Sequence, residues 1–203
     1  MEIPYIPRIM KCFLLVCINW IFQSILYMDR TERIFKLVCD ILFFSLVLFI
    51  VSPITDLSVA LIVAFAIGHT INWISNGHIF SLLKTFGCID TSEEQFETFI
   101  QQLSRLAKQE TSILAVACYG SISRGTLKKT SDLDVRLIRK SGFINGVRSC
   151  IFMLLLRSRA FLAAFPLDGY VLDDTRGLMK MRSDEKPVIV HDPSSVLKNW
   201  YGY

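Results

Sequence analysis

Hydrophobic and polar positions alternate in two different ways along this chain. Up to about residue 83 the apolar residues form long unbroken runs. Between Asp56 and Lys84 there are 27 consecutive residues without a Lys, Arg, Asp or Glu, beginning Leu57-Ser58-Val59-Ala60. About 20 apolar residues suffice for a helix to cross a bilayer core, so this run predicts a spanning helix. Leu37 to Thr55 predicts a second, with Asp40 one turn from its start. Ser52-Pro53-Ile54-Thr55-Asp56 would close the two into a tight helical hairpin over about residues 37–74. Cys12 to Met28 is a shorter uncharged run, interrupted by Asn19, Gln23 and Ser24. A third span, an interfacial or re-entrant helix and an uncleaved signal-like segment all fit it. The interfacial or re-entrant form is preferred, because a third span would leave Arg8 and Lys11 outside.

Beyond residue 84 the periodicity shortens to that of a soluble domain. Thr91-Ser92-Glu93-Glu94-Gln95 has the pattern of a capping box, and Phe96, Phe99, Ile100, Leu103, Leu106 and Ala107 follow at helical spacing to about Gln109. Ile113 to Tyr119 is a short, wholly apolar run of buried-strand type. A second strand is expected from Asp132, a covering helix over Val147 to Leu156, a strand over Phe165 to Leu172 and another over Lys186 to Pro193.

Charge sharpens this division. Only ten of the forty charged side chains lie in the first 83 residues, and the whole net charge of +4 comes from the remainder. Arg30, Arg33 and Lys36 precede the hairpin and Lys84 follows it, while its loop carries no Lys or Arg. The positive-inside rule then puts both ends, and the C-terminal domain, in the cytoplasm. The six cysteines form no CxxC pair, so a zinc ribbon or disulfide scaffold is not supported and they read as reduced and mostly buried. The net charge is too small and dispersed to argue for nucleic-acid binding. His69, Asn72, Trp73, Asn76 and His78, at the end of the main span, read as a packing or docking patch, or as a contact for a lipid headgroup.

The chemistry is concentrated after Tyr119. Gly120-Ser121 opens a loop that carries Arg124, Lys128 and Lys129 and ends at Asp132-Leu133-Asp134. Residues two apart in a strand share a face, so Asp132 and Asp134 would project together. Two carboxylates held that close favour a divalent cation between them, and hard oxygen donors select Mg²⁺ or Mn²⁺. The glycine-serine turn offers amide and hydroxyl donors to phosphate, with Arg124, Lys128 and Lys129 adding positive charge. Asp168, the lone acid in its apolar run, is a candidate third carboxylate. Asp173 and Asp174 read as turn residues.

Gly-Ser, ten residues, Asp-x-Asp and an isolated acid in a later strand resemble the nucleotidyltransferases of the DNA polymerase β type, especially their small single-domain members. The resemblance runs over about residues 92–193. It implies an α+β fold, a mixed sheet with covering helices, which here would follow the N-terminal transmembrane helical segment read from the apolar runs. It also implies metal binding by Asp132, Asp134 and Asp168 and triphosphate contact by Gly120 and Ser121, while Arg124 matches an arginine of the small members' loop.

The expected organisation is a membrane anchor over residues 1–83 and a cytoplasmic nucleotidyltransferase domain over residues 84–203. The expected reaction moves NMP from an NTP to an acceptor at the membrane (a lipid headgroup, a polyprenyl-linked sugar or a protein), with release of pyrophosphate. The alternative is an antitoxin-like or regulatory module that binds a partner protein through a basic face near Arg157 and Arg159.

Overall fold

The computed structural model describes residues 8–75, 90–182 and 185–202. Asn76, His78, Lys84 and Cys88, and the expected division at residue 83, lie outside them.

Three helices come first: α1 (Arg8–Phe22), α2 (Arg30–Val51) and α3 (Leu57–Ser75). The latter two are long and apolar enough to cross a membrane. At 15 residues, α1 is about 22 Å long, short of a bilayer core of about 30 Å. Helix α2 packs on α3 through Ala60, Ala64, Gly68 and Asn72, four buried residues spaced one turn apart. A Cβ on Gly68 would stand 2.7 Å from the Phe44 backbone nitrogen, so the small residue sets how closely the helices approach.

The polar residues of this region point into the bundle. Asp40 lies 3.0 Å from His69 Nδ1 and accepts from Asn72 Nδ2 at 3.1 Å. His69 Nε2 contacts the Trp20 carbonyl, Trp20 Nε1 donates to Thr70, and Trp73 Nε1 donates to Asn19. Polar groups inside an apolar bundle cost free energy unless they find one another, and here α1 supplies the partners. His69, Asn72 and Trp73 thus bind α1 and α2 to α3.

The second region contains α4 (Glu93–Gln109), β1 (Ile113–Tyr119), β2 (Leu133–Arg139), α5 (Phe143–Leu162), β3 (Leu167–Leu172), a 3₁₀ turn (Thr175–Lys180), β4 (Val188–His191) and α6 (Val196–Tyr201). The capping box is formed: Gln95 N–H donates to Ser92 Oγ and Ser92 N–H to Gln95 Oε1. The sheet has the order β3-β2-β1-β4, with β2 and β3 parallel and the other pairs antiparallel, so the mixed sheet is present. Helices α4 and α5 cover one face, where Phe99 stacks on Phe165 at 4.2 Å. The 3₁₀ turn and α6 cover the other through Leu178 and Leu197.

Two helix boundaries differ from the sequence reading for one reason. Helix α2 starts at Arg30 rather than Leu37, and α5 continues to Leu162 rather than stopping at Leu156. A charged residue near each boundary is buried inside the fold and so does not mark a helix end: Glu32 and Arg157 are 2% and 3% exposed and pair at 2.5 Å, while Arg30, Arg33 and Arg159 are exposed. Arg157 is therefore not part of a basic surface, which removes it from the partner-binding face of the alternative reading.

That pair belongs to a larger closure. The outer edge of β3 presents Gly169 C=O, Val171 N–H and Asp173 N–H at alternate residues. Arg157 donates to the first at 2.5 Å, Glu32 accepts from the second at 2.8 Å, and Asp29 accepts from the third at 3.0 Å. Thr31 N–H returns a bond to the Asp173 carboxylate. The start of α2 thus stands where a fifth strand would pair, and no open edge is left there. Asp173, expected in a turn, is part of this clasp. Asp174 does cap the 3₁₀ turn, accepting from Arg176 N–H. Cys118 and Cys150 are buried, while Cys12, Cys17 and Cys39 are only half-buried, and these five are free thiols.

Breaking a buried ion pair leaves an uncompensated charge. The substitution Glu32→Ala is expected to cost about 3 kcal/mol, read as a lowered thermal midpoint. Pairing it with Arg157→Met should recover part of that loss.

Candidate active site

The register of β2 on β3 places Asp134 directly beside Asp168, and the next pair on that face is Arg136 beside Tyr170. The two carboxylates are within hydrogen-bonding reach. Burial, and then the charges of Asp168 and Asp132, push the Asp134 carboxyl up to about 7. Asp132 stands just ahead of β2, which starts at Leu133, so only Asp134 of the Asp-x-Asp pair is a strand residue.

Arg136 is the counter-charge of this pair. Its Nη2 lies 3.3 Å from Asp168 Oδ2 and 3.8 Å from Asp134 Oδ1. Its Nη1 donates to the carbonyls of Val135 and Asp168, and its guanidinium rests 4.8 Å from the Tyr170 ring centroid. The Tyr170 side chain in turn hydrogen-bonds Ser24, just after α1. The N-terminal helical region therefore reaches within one residue pair of the carboxylates. Sequence reasoning missed Arg136, although its spacing of two from Asp134 already put both on one face.

The Gly120 loop closes over the same carboxylate. Gly120 has φ +78°, and a Cβ there would stand 2.0 Å from Asp134 Oδ2. The conformation favours glycine, and a Cβ would have to displace the Asp134 carboxylate. Thr126 N–H donates to the Ser121 carbonyl at 2.9 Å, and Ser123 Oγ stands 2.9 Å from the Gly120 carbonyl, which makes the loop compact. Ser121 Oγ is buried with no hydrogen-bond partner among the described residues. Arg124 extends to Glu185 at 2.9 Å. Lys128 and Lys129 are exposed at the loop's far end, where Lys128 N–H donates to Ser131 Oγ and the Lys128 carbonyl accepts from Ser131 N–H. Glu185 lies in a charge-rich stretch, and nothing local marks it as part of the site.

Residues 97–149 match the nucleotidyltransferase domain family. The match starts in α4, runs through β1, the Gly120 loop and β2, and ends within α5. It contains Gly120, Ser121, Arg124, Lys128, Asp132 and Asp134, whereas Asp168 and Glu185 lie beyond it. No curated protein and no solved structure matched the chain. The nucleotidyltransferase match supports nucleotidyl transfer as the general class of chemistry.

A hard divalent cation fits the carboxylates as a donor set: Asp134 and Asp168 are adjacent oxygen ligands, and burial together with the neighbouring charges disfavours the ionised form of Asp134, a cost that a cation would offset. Among the described residues no three carboxylate, imidazole or thiol side chains form a ready ligand cluster. Asp134 and Asp168 are the assembled part, with Arg136 as their counter-charge.

Gly120 and Gly125 offer a controlled comparison, since both have positive φ but nothing lies within 4 Å of a Cβ on Gly125. Gly125→Ala is expected to cost about 1 kcal/mol, and Gly120→Ala at least about 2 kcal/mol more, in chemical denaturation. In the metal-free protein above pH 7, Asp134→Asn should instead stabilise the fold by an amount on the order of 1 kcal/mol, read as a raised thermal midpoint, because the cost of burying an ionised carboxyl beside Asp168 is removed.

Proposed function

We propose that the protein is a membrane-anchored, metal-dependent nucleotidyltransferase that moves NMP from an NTP to an acceptor at the membrane and releases pyrophosphate. The observation that carries this reading is the β2–β3 register, which sets Asp134 beside Asp168 beneath the Gly120–Ser121 loop. In this reading Asp134 and Asp168, with Asp132 alongside, hold Mg²⁺ or Mn²⁺. That ion supplies charge neutralisation to the phosphates and acidity to the acceptor hydroxyl.

The chain's own groups do the remaining work. Gly120 N–H, the Ser121 hydroxyl and the Arg124 guanidinium hold phosphate oxygens, and Lys128 draws the polyphosphate in by its charge. Asp168 faces the acceptor and helps remove its proton. Arg136, fixed on Tyr170, keeps the two carboxylates from repelling each other and holds their spacing.

Placement of the acceptor at the membrane is supported by two features. First, Phe49 on α2 and Ile62 on α3 are 79% and 71% exposed, and most of each helix's apolar window faces outward, as lipid contact requires. Second, α2 runs antiparallel to β3: Asp29 meets Asp173, Glu32 meets Val171, and Arg157 links Glu32 to Gly169. Following α2 toward its apolar half therefore leads in the direction of Asp168. The site would open on the cytoplasmic side, next to the bilayer surface. The shared acceptor chemistry is a hydroxyl or phosphate on a lipid headgroup, a polyprenyl-linked sugar or a membrane protein.

Incubating the full chain with α-labelled NTPs, Mg²⁺ or Mn²⁺ and a total membrane extract should move label into an acceptor. Asp134→Ala and Asp168→Ala are each expected to lower that transfer at least about 10³-fold while circular dichroism stays unchanged. Transfer that survives both substitutions would refute the assignment.

A further inference from the structure

The anion cradle of the Gly120 loop is already filled from within the chain. Glu185 is 7% exposed, and its Oε1 accepts from Gly120 N–H at 2.7 Å, from Ser123 Oγ at 2.5 Å and from Arg124 Nη1 at 2.9 Å. A backbone amide beside a left-handed glycine, a hydroxyl and a guanidinium converging on one anionic oxygen form the donor set that binds a phosphate oxygen. Ser121 Oγ, buried in the same loop with no partner among the described residues, is a donor that the carboxylate leaves unused.

We propose that Glu185 is an internal phosphate mimic, which holds this loop in a resting state and which a polyphosphate must displace to bind. The proposal rests on reading the loop as the phosphate cradle of a nucleotidyltransferase. A carboxylate and a phosphate cannot share three donors, so occupancy by Glu185 lowers apparent affinity by the fraction of molecules in which the cradle is free. The Arg124 side chain is 43% exposed, so an incoming anion can pair with it before Glu185 leaves. Glu185 thereby acts as a threshold on substrate rather than as a catalytic residue.

The test uses the full chain in detergent micelles, with Mg²⁺ and inorganic tripolyphosphate as a probe that needs no base recognition. Glu185→Gln keeps an acceptor oxygen for Gly120 N–H and removes the charge. It is expected to bind the probe about tenfold more tightly than the native chain in calorimetry. In the native chain, saturation with the probe should speed hydrogen exchange in the peptide carrying Glu185, a readout that does not depend on the variant folding. Equal or weaker binding by Glu185→Gln, or slower exchange at that peptide, would overturn the proposal while native binding leaves the transferase reading standing. Failure of native and variant chains alike to bind tripolyphosphate would overturn both.

Discussion

An edge strand with a free row of amides and carbonyls is a liability, and in this fold the strand concerned carries Asp168. The start of α2 meets that constraint with side chains instead of a backbone ladder. Asp29 and Glu32 accept from Asp173 N–H and Val171 N–H, while Arg157 takes the Gly169 carbonyl and neutralises Glu32. Much else depends on this clasp. It holds β3 in register against β2, and the register is what brings Asp168 to Asp134. It also makes the apolar helices and the sheet one packed body, so the carboxylates have a defined position relative to the membrane-length helices.

Within that frame the site is electrostatically self-contained. Asp134 and Asp168 repel each other, and Arg136, resting on the Tyr170 ring, supplies the opposing charge. The Gly120 loop offers donors to an anion, and Glu185 supplies one. A carboxylate pair and a donor-rich loop thus stand side by side, each balanced by a residue of opposite sign. Such an arrangement keeps a buried, highly charged cleft folded.

Features encoded by neighbouring residues were legible in the sequence. The capping box at Ser92, strand β1, the Gly120 loop and the position of α3 depend on local spacing and hydrophobic period, and each is present in the structure. Asp168 was legible as a lone acid in an apolar strand. The start of α2 and the end of α5 were not, because Glu32 and Arg157 are buried only by virtue of each other, 125 residues apart. Glu185 was hidden for a similar reason: its partners Gly120, Ser123 and Arg124 lie more than 60 residues before it. Charge in a sequence reads as surface by default, and only the tertiary pairing shows which charges are buried.

Nucleotidyl transfer is distinguished from every other use of such a cleft by the bond that breaks. Parallel reactions of the full chain in lipid vesicles made from a total membrane extract, one with α-labelled and one with γ-labelled NTP, read that bond directly. The account requires label from the α position in the acceptor and label from the γ position in released pyrophosphate. Label from the γ position in the acceptor, or neither label moving with any NTP, would contradict it.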